Sequence, residues 1–211
     1  MNIQAYNDDP AQSCPRGDFL PEGGLNWKPI DRGRWQSCHN RVVVTGLGAV
    51  TPMAVGVEPS WEAVCRGKPC IRRVTQFDTS QMRTGIAGEV HGFDASDFMD
   101  AKIAKRYDRF VVLALAASRM AADDAELTDK HLDKRRLAVV MGNCLGGPAL
   151  MERGFELVTH GRENRFSPYF IPGIIGSSAA GLVAIALGTR GPTLSVNSAC
   201  ASGADALGRG L

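Results

Sequence analysis

After residue 40 the chain falls into short apolar runs closed by glycine or proline, alternating with longer stretches whose apolar residues recur every three or four positions. Arg41 to Thr45 holds three consecutive valines and ends at Gly46-Leu47-Gly48, which predicts a strand and its turn. Glu58 to Arg66 predicts a short helix that starts at Ser60, stops at Gly67 and packs through Trp61 and Val64. Asp100 is placed to cap one long helix, in which Ile103, Tyr107, Phe110, Val111, Ala114, Leu115, Ser118 and Ala121 fall on one face. Lys102, Lys105, Arg106 and Arg109 then belong to its solvated or subunit-facing side. Leu137 to Met141 predicts another strand, followed by the turn Gly142-Asn143-Cys144-Leu145-Gly146-Gly147. Pro172 to Leu187 predicts a further helix, and Gly188-Thr189-Arg190-Gly191-Pro192 leads into a buried strand over Thr193 to Asn197. Strands alternating with helices predict an α/β sheet covered on both faces. Periodicity does not select among α/β architectures.

The first forty residues break this pattern. Met1 to Asn40 is rich in Pro, Gly, Asp and Asn, has no sustained periodicity and lacks the apolar stretch of a signal peptide. It is expected to be a flexible extension, residues 1–40, ahead of one main domain, residues 41–211; Trp27 and Trp35 could dock on that domain, and no feature of the sequence fixes whether they do.

Composition narrows the function classes. With 44% hydrophobic and 22% charged residues, the 211-residue chain has the make-up of an ordinary globular domain. A formal charge of +2, spread along the chain, argues against a nucleic-acid partner. No apolar run reaches the ~18–20 residues that cross a bilayer, so no membrane partner is expected. Cys14, Cys38, Cys65, Cys70, Cys144 and Cys200 are scattered, with no secretory signal ahead of them, which fits a reducing cytoplasm. Cys65 and Cys70 lack the spacing of a zinc pair and Cys38-His39 has no second pair, so no metal is expected. Gly46-Leu47-Gly48 after a strand begins like a dinucleotide fingerprint. Its third glycine position is Thr51, followed by Pro52, and the fingerprint fails. No cofactor is expected.

The chemistry concentrates near residue 200. After the strand come Ser198, Ala199, Ala201, Ser202, Gly203 and Ala204, all small enough for close backbone approach, and Asp205-Ala206-Leu207-Gly208 continues as a helix. Cys200 therefore sits at a strand-to-helix corner. A thiol of ordinary pKa, ~8.5, is only about 3% ionised at pH 7, and a helix N-terminus lowers that pKa by roughly 0.2–1.5 units. A neighbouring imidazole or further donors would complete the activation, and backbone N–H groups of the same corner could hold an oxyanion. Read without a family, Cys200 is better taken as a small buried hydrophobe, as most isolated buried cysteines are.

Five motifs occur in order: Val42-Val43-Val44-Thr45-Gly46-Leu47-Gly48-Ala49-Val50-Thr51-Pro52, Phe77-Asp78-Thr79-Ser80, Ser167-Pro168-Tyr169-Phe170-Ile171-Pro172, Gly188-Thr189-Arg190-Gly191-Pro192 and Ser198-Ala199-Cys200-Ala201-Ser202-Gly203. Over residues 41 to 211 the chain closely resembles the N-terminal part of the β-ketoacyl-[acyl carrier protein] synthases. The resemblance implies a thiolase-like layered α/β fold, here an incomplete N-terminal half. It implies that Cys200 takes an acyl group from acyl carrier protein, for a decarboxylative Claisen condensation with a malonyl thioester in fatty-acid or polyketide synthesis. It also implies a homodimer, a gating position at Leu145 and an aromatic at the pocket's end at Phe170. Ser177 departs from the pattern, standing where relatives often carry asparagine.

The same resemblance implies two catalytic histidines and a glycine-rich oxyanion turn beyond the nucleophile. His39, His91, His131 and His160 all precede Cys200, match no catalytic position and read as surface or structural residues. The chain is therefore expected to be a fragment, inactive in condensation by itself. A non-catalytic partner subunit of a heterodimer is the alternative, against which Cys200 argues; a small thiol hydrolase or redox protein lacks a matched histidine or resolving cysteine.

Overall fold

The computed structural model describes residues 42–127 and 132–211. The extension expected over residues 1–40, together with Arg41 and His131, lies outside the described residues. From Val42 on, the described elements form one compact unit.

Its centre is a parallel pair of strands, β3 (Val139–Gly142) and β4 (Thr193–Val196), in register from Val139 opposite Thr193 to Gly142 opposite Val196. Side chains alternate along a strand, so Val139 and Met141 share one face while Val140 and Gly142 share the other. Val139 and Met141 join the core made by helices α3 (Arg109–Asp124) and α6 (Ser178–Leu187). Gly142 instead meets the start of α7 (Ser202–Gly210). Helices thus cover both faces of the strand pair, as the alternating pattern predicts.

The core explains why α3 and α6 lie together. Val111, Leu115 and Ala116 of α3 and Ala179, Ala180 and Val183 of α6 are buried, and alanine at the crossing lets the two backbones close up. Burying a side chain the size of Leu115 or Val111 contributes ~1.5–3 kcal/mol. Gly46 and Gly48 extend this packing. A Cβ on Gly48 would lie 1.9 Å from the Ala117 carbonyl oxygen, and one on Gly46 would lie 2.3 Å from that of Ala121. The two glycines that begin like a nucleotide fingerprint let this segment run against α3, where the Leu47 N–H donates to Asp124 Oδ2 at 2.8 Å.

Five expectations need correction. Val42 to Thr45 carries no strand assignment, because it pairs with no strand among the described residues, and Val42, Val43 and Val44 are exposed. The long helix after Asp100 is two helices, α2 (Ala101–Arg106) and α3. Asp100 caps the first through Lys102 N–H at 2.6 Å, but Tyr107 turns extended and Asp108 begins the second. Asp108 is buried and accepts from the N–H groups of both Phe110 and Leu150, so the break ties α3 to α4 (Pro148–Thr159). The helix expected over Pro172 to Leu187 is likewise split, into α5 (Phe170–Ile174) and α6. In α1 (Val57–Cys65) Trp61 and Val64 are exposed; the buried face is Ser60 and Ala63, with the Ser60 hydroxyl donating to Gly56 O at 2.6 Å. Residues Thr193 to Val196 form the expected strand, but Leu194 is half exposed because β4 has one neighbouring strand among the described residues.

The pattern also missed an antiparallel hairpin, β1 (Ile71–Arg73) with β2 (Ile86–Gly88). Glu89 closes it: the buried carboxylate accepts from the N–H groups of Thr75 and Gln76 and from the Thr75 hydroxyl at 2.8 Å. Among the described residues, no helix is long and apolar enough to cross a membrane.

Candidate active site

Cys200 lies where the sequence places it. β4 ends at Val196, a 3-10 turn spans Ala199–Ala201, and α7 starts at Ser202. Among the described residues Cys200 is free and exposed, not buried as a small hydrophobe would be. The same state holds for Cys65 and Cys144, so exposure alone does not single it out.

Backbone geometry does. Ala199, immediately before the cysteine, has φ of 53°, the left-handed region that a Cβ disfavours by about 1–2 kcal/mol. Such a conformation persists only where neighbours over-determine it, and here they are visible. The Ser202 hydroxyl accepts from Ser198 N–H at 3.0 Å and donates to Ala199 O at 2.6 Å. The Ser198 hydroxyl donates to Asp205 Oδ2 in the first turn of α7. The Asn197 amide donates to Cys144 O at 2.8 Å, and its own oxygen accepts from Ala199 N–H. The N–H of Cys200 itself meets no acceptor among the described residues.

The floor of the corner is the end of β3. A Cβ on Gly142 would lie 2.2 Å from Ser202 O and 2.4 Å from Ser202 C, so this approach of strand and helix requires glycine. The turn after Gly142 is held on its other side by the break between α5 and α6. Ile174 O accepts from Gly147 N–H at 3.0 Å, and Gly176 O accepts from the Asn143 amide at 3.1 Å. Those carbonyls are free to accept from the turn because the helix is interrupted at Ile175. Ser177, at the entry to α6, makes no side-chain cap.

Leu145 sits on this turn, 73% exposed, one residue after the carbonyl that Asn197 holds. It is thereby brought beside the corner. Phe170 is placed by different contacts: its ring meets Phe166 edge-on at 4.8 Å between centroids and lies over Gly154 of α4. Its link to the corner is indirect, through α5 and the Gly147–Ile174 hydrogen bond.

The two described histidines, His91 and His160, stand elsewhere. His91 Nε2 is 3.7 Å from Glu89 Oε2, and the His160 ring lies 2.7 Å from Glu156 O at the end of α4; His39 and His131 lie outside the described residues. Asp78 turns its carboxylate onto the N–H and hydroxyl of Ser80, both at 2.9 Å, and these bonds hold it below the usual aspartate range. The Phe77-Asp78-Thr79-Ser80 motif is thus a structural turn. Sequence reasoning missed Ser202 and Asp205 as parts of the corner, although serine and aspartate at the start of a helix are a recognisable signal for side-chain bonds to the backbone.

Comparison with known proteins gives a consistent result. The family model described as "Beta-ketoacyl synthase, N-terminal domain" matches residues 39–210. The chain is 40% identical over 168 residues to 3-oxoacyl-[acyl-carrier-protein] synthase 2 of Synechocystis sp. (strain ATCC 27184 / PCC 6803 / Kazusa), covering 80% of this chain and 40% of that protein. Among solved structures it is similar to the ishigamide ketosynthase/chain length factor, at a TM-score of 0.66 and 26% identity over 74% of this chain and 39% of that one. It is similar in fold to the ketosynthase complex AntDE:AntF, described as a type II PKS acyl-carrier protein in complex with its ketosynthase bound to the hexaketide. There the TM-score is 0.64 at 22% identity, over 79% of this chain and 44% of that one. The fold is therefore the thiolase-like α/β fold of the ketosynthases, and the chain spans about 40% of the length of the curated relative it matches.

Proposed function

For a chain that belongs to the β-ketoacyl synthase family, we propose that Cys200 is the acyl-accepting nucleophile of a β-ketoacyl-[acyl carrier protein] synthase. The observation that carries this reading is the exposed thiol at a strained strand-to-helix corner, next to a backbone N–H that has no acceptor among the described residues. The Cys200 thiolate attacks the carbonyl carbon of an acyl thioester. The new S–C bond forms as the carbonyl electrons move onto oxygen, and the carrier thiolate leaves as the carbonyl is restored. The Cys200 N–H is the proposed donor to that oxygen, a kind of donor whose loss typically costs ~10²–10³ in rate.

Acyl carrier protein is the proposed donor, and the acyl-enzyme would then condense with a malonyl-carrier thioester in fatty-acid or polyketide synthesis. The step proposed for the residues at this corner is the acyl transfer. We assign the synthase domain to residues 41–211 and propose that the synthase works as a homodimer. The free thiols Cys65, Cys70, Cys144 and Cys200 suit the reducing cytoplasm. Leu145 is proposed to limit acyl-chain length beside the corner, with Phe170 closing the far end through α5. A non-catalytic partner role is disfavoured, because it would leave this cysteine without a purpose.

The test is incubation with an acyl-carrier thioester followed by peptide mass spectrometry. The adduct is expected on Cys200; labelling of Cys65 or Cys144 with Cys200 untouched would overturn the assignment.

A further inference from the structure

We propose that Ser202 is the positioning residue of this corner, its hydroxyl locking the peptide between Ala199 and Cys200 so that the Cys200 N–H faces outward. The proposal rests on reading Cys200 as the nucleophile. Ser202 is 3% exposed, so its hydroxyl has few partners to choose from, and both its roles are taken locally. It accepts from Ser198 N–H at 3.0 Å and donates to Ala199 O at 2.6 Å, while its own N–H also donates to Ala199 O.

Two donors on one carbonyl fix its direction. The carbonyl of Ala199 and the N–H of Cys200 belong to the same planar trans peptide, in which they point opposite ways. Holding the Ala199 oxygen toward Ser202 therefore turns the Cys200 N–H away from the helix. That orientation matches the lack of an acceptor for Cys200 N–H among the described residues and the left-handed φ of 53° at Ala199. The Ser198 bond to Asp205 is a second hold on the same turn. Ser202 acts through the peptide it locks.

The test compares wild type, Ser202→Ala and Ser202→Ala/Ala199→Gly by two readouts. One is the initial rate of acyl transfer from octanoyl-N-acetylcysteamine to Cys200. The other is the amide spectrum of protein labelled with ¹⁵N-cysteine, in which Cys65 and Cys70, outside the network of the corner, act as internal references. In Ser202→Ala the Cys200 amide signal is expected to move while the references stay. Acyl transfer should fall by about 10–100-fold, as for a donor misplaced by around an ångström. Glycine at 199 adopts positive φ without the Cβ penalty, so the double variant should recover at least ~3-fold of the lost rate. An unmoved Cys200 signal, a Ser202→Ala rate within about 2-fold of wild type, or a shift of all three cysteine signals together would overturn the role of Ser202. Failure of wild type to take up acyl groups, with the Cys200 signal still moving alone, would instead overturn the nucleophile reading and leave the Ser202 lock standing.

Discussion

Replacing Gly142 by alanine drives a methyl group into the backbone that carries Cys200. The added Cβ would lie 2.2 Å from Ser202 O, 2.4 Å from Ser202 C and 2.7 Å from Gly203 N. All three are main-chain atoms, so no side chain can rotate away. Ordinary van der Waals contact begins at 3.4 Å, which requires β3 and the start of α7 to part by about 1.2 Å. β3 is held in register by β4 and anchored in the core through Val139, so most of the movement falls on α7 and the corner. Overpacking of this kind costs ~1–3 kcal/mol, and a misplacement of about 1 Å at a reacting group costs ~10² in rate. Urea denaturation should show the first and acyl transfer to Cys200 the second. Gly203→Ala is the matched control. Its Cβ meets nothing within 4 Å, and alanine is the better helix former by about 1 kcal/mol, so it should be neutral or stabilising. A Gly142→Ala protein with unchanged stability and acyl transfer within about 2-fold of wild type would refute the argument that this approach fixes the corner.

Asp108→Ala should destabilise the fold by about 2–4 kcal/mol in urea titration, because it removes the cap of α3 and leaves the Leu150 N–H without its acceptor; Asp108→Asn, which keeps an oxygen, should cost less. Glu89 is held below its ordinary value of 4.5, first by the Thr75 hydroxyl and then by the Thr75 N–H. Its contribution is therefore complete above that value and lost as the pH falls through the lowered folded-state pKa, so Glu89→Gln should flatten the acid limb of a stability profile measured between about pH 3 and pH 7. An acid limb identical to wild type would contradict the assignment. Leu145→Ala should move the acyl preference toward longer chains in steps, since each accommodated methylene is worth only ~0.8 kcal/mol; competition between thioesters of different length, read by mass spectrometry of the Cys200 adduct, checks it.

The elements legible in the sequence were those whose signal is local. Thr193 to Val196 announces a strand by composition, the small residues after it announce a close approach, and together they place Cys200 at its corner without any tertiary information. The breaks were not legible, because each is decided by a partner distant in sequence. Asp108 ends one helix and begins the next while also accepting from Leu150, forty-two positions away. The interruption at Ile175 leaves carbonyls that accept from Asn143 and Gly147. Burial was misjudged for a related reason. Trp61, Val64 and Leu194 are apolar, but apolarity identifies a surface that can be covered, not which elements cover it. Glu89 went unnoticed because a single charged residue at a strand end looks solvated until Thr75 and Gln76 fold back onto it.

Small residues around Cys200 serve packing and reactivity through one constraint. Gly142 admits the start of α7 to the end of β3, and that contact brings Ser202 under the turn. Ser202, buried there, satisfies its hydroxyl with Ser198 N–H and Ala199 O. Those bonds hold Ala199 in a conformation it would otherwise leave, and the next peptide N–H is turned outward beside an exposed thiol. A larger side chain at 142 or an apolar one at 202 would break the sequence of dependence at different steps. The first displaces the helix as a body; the second leaves the helix in place and frees one peptide. The two variants should therefore separate in denaturation, where Gly142→Ala reports overpacking, and converge in acyl transfer, where both lose the same donor.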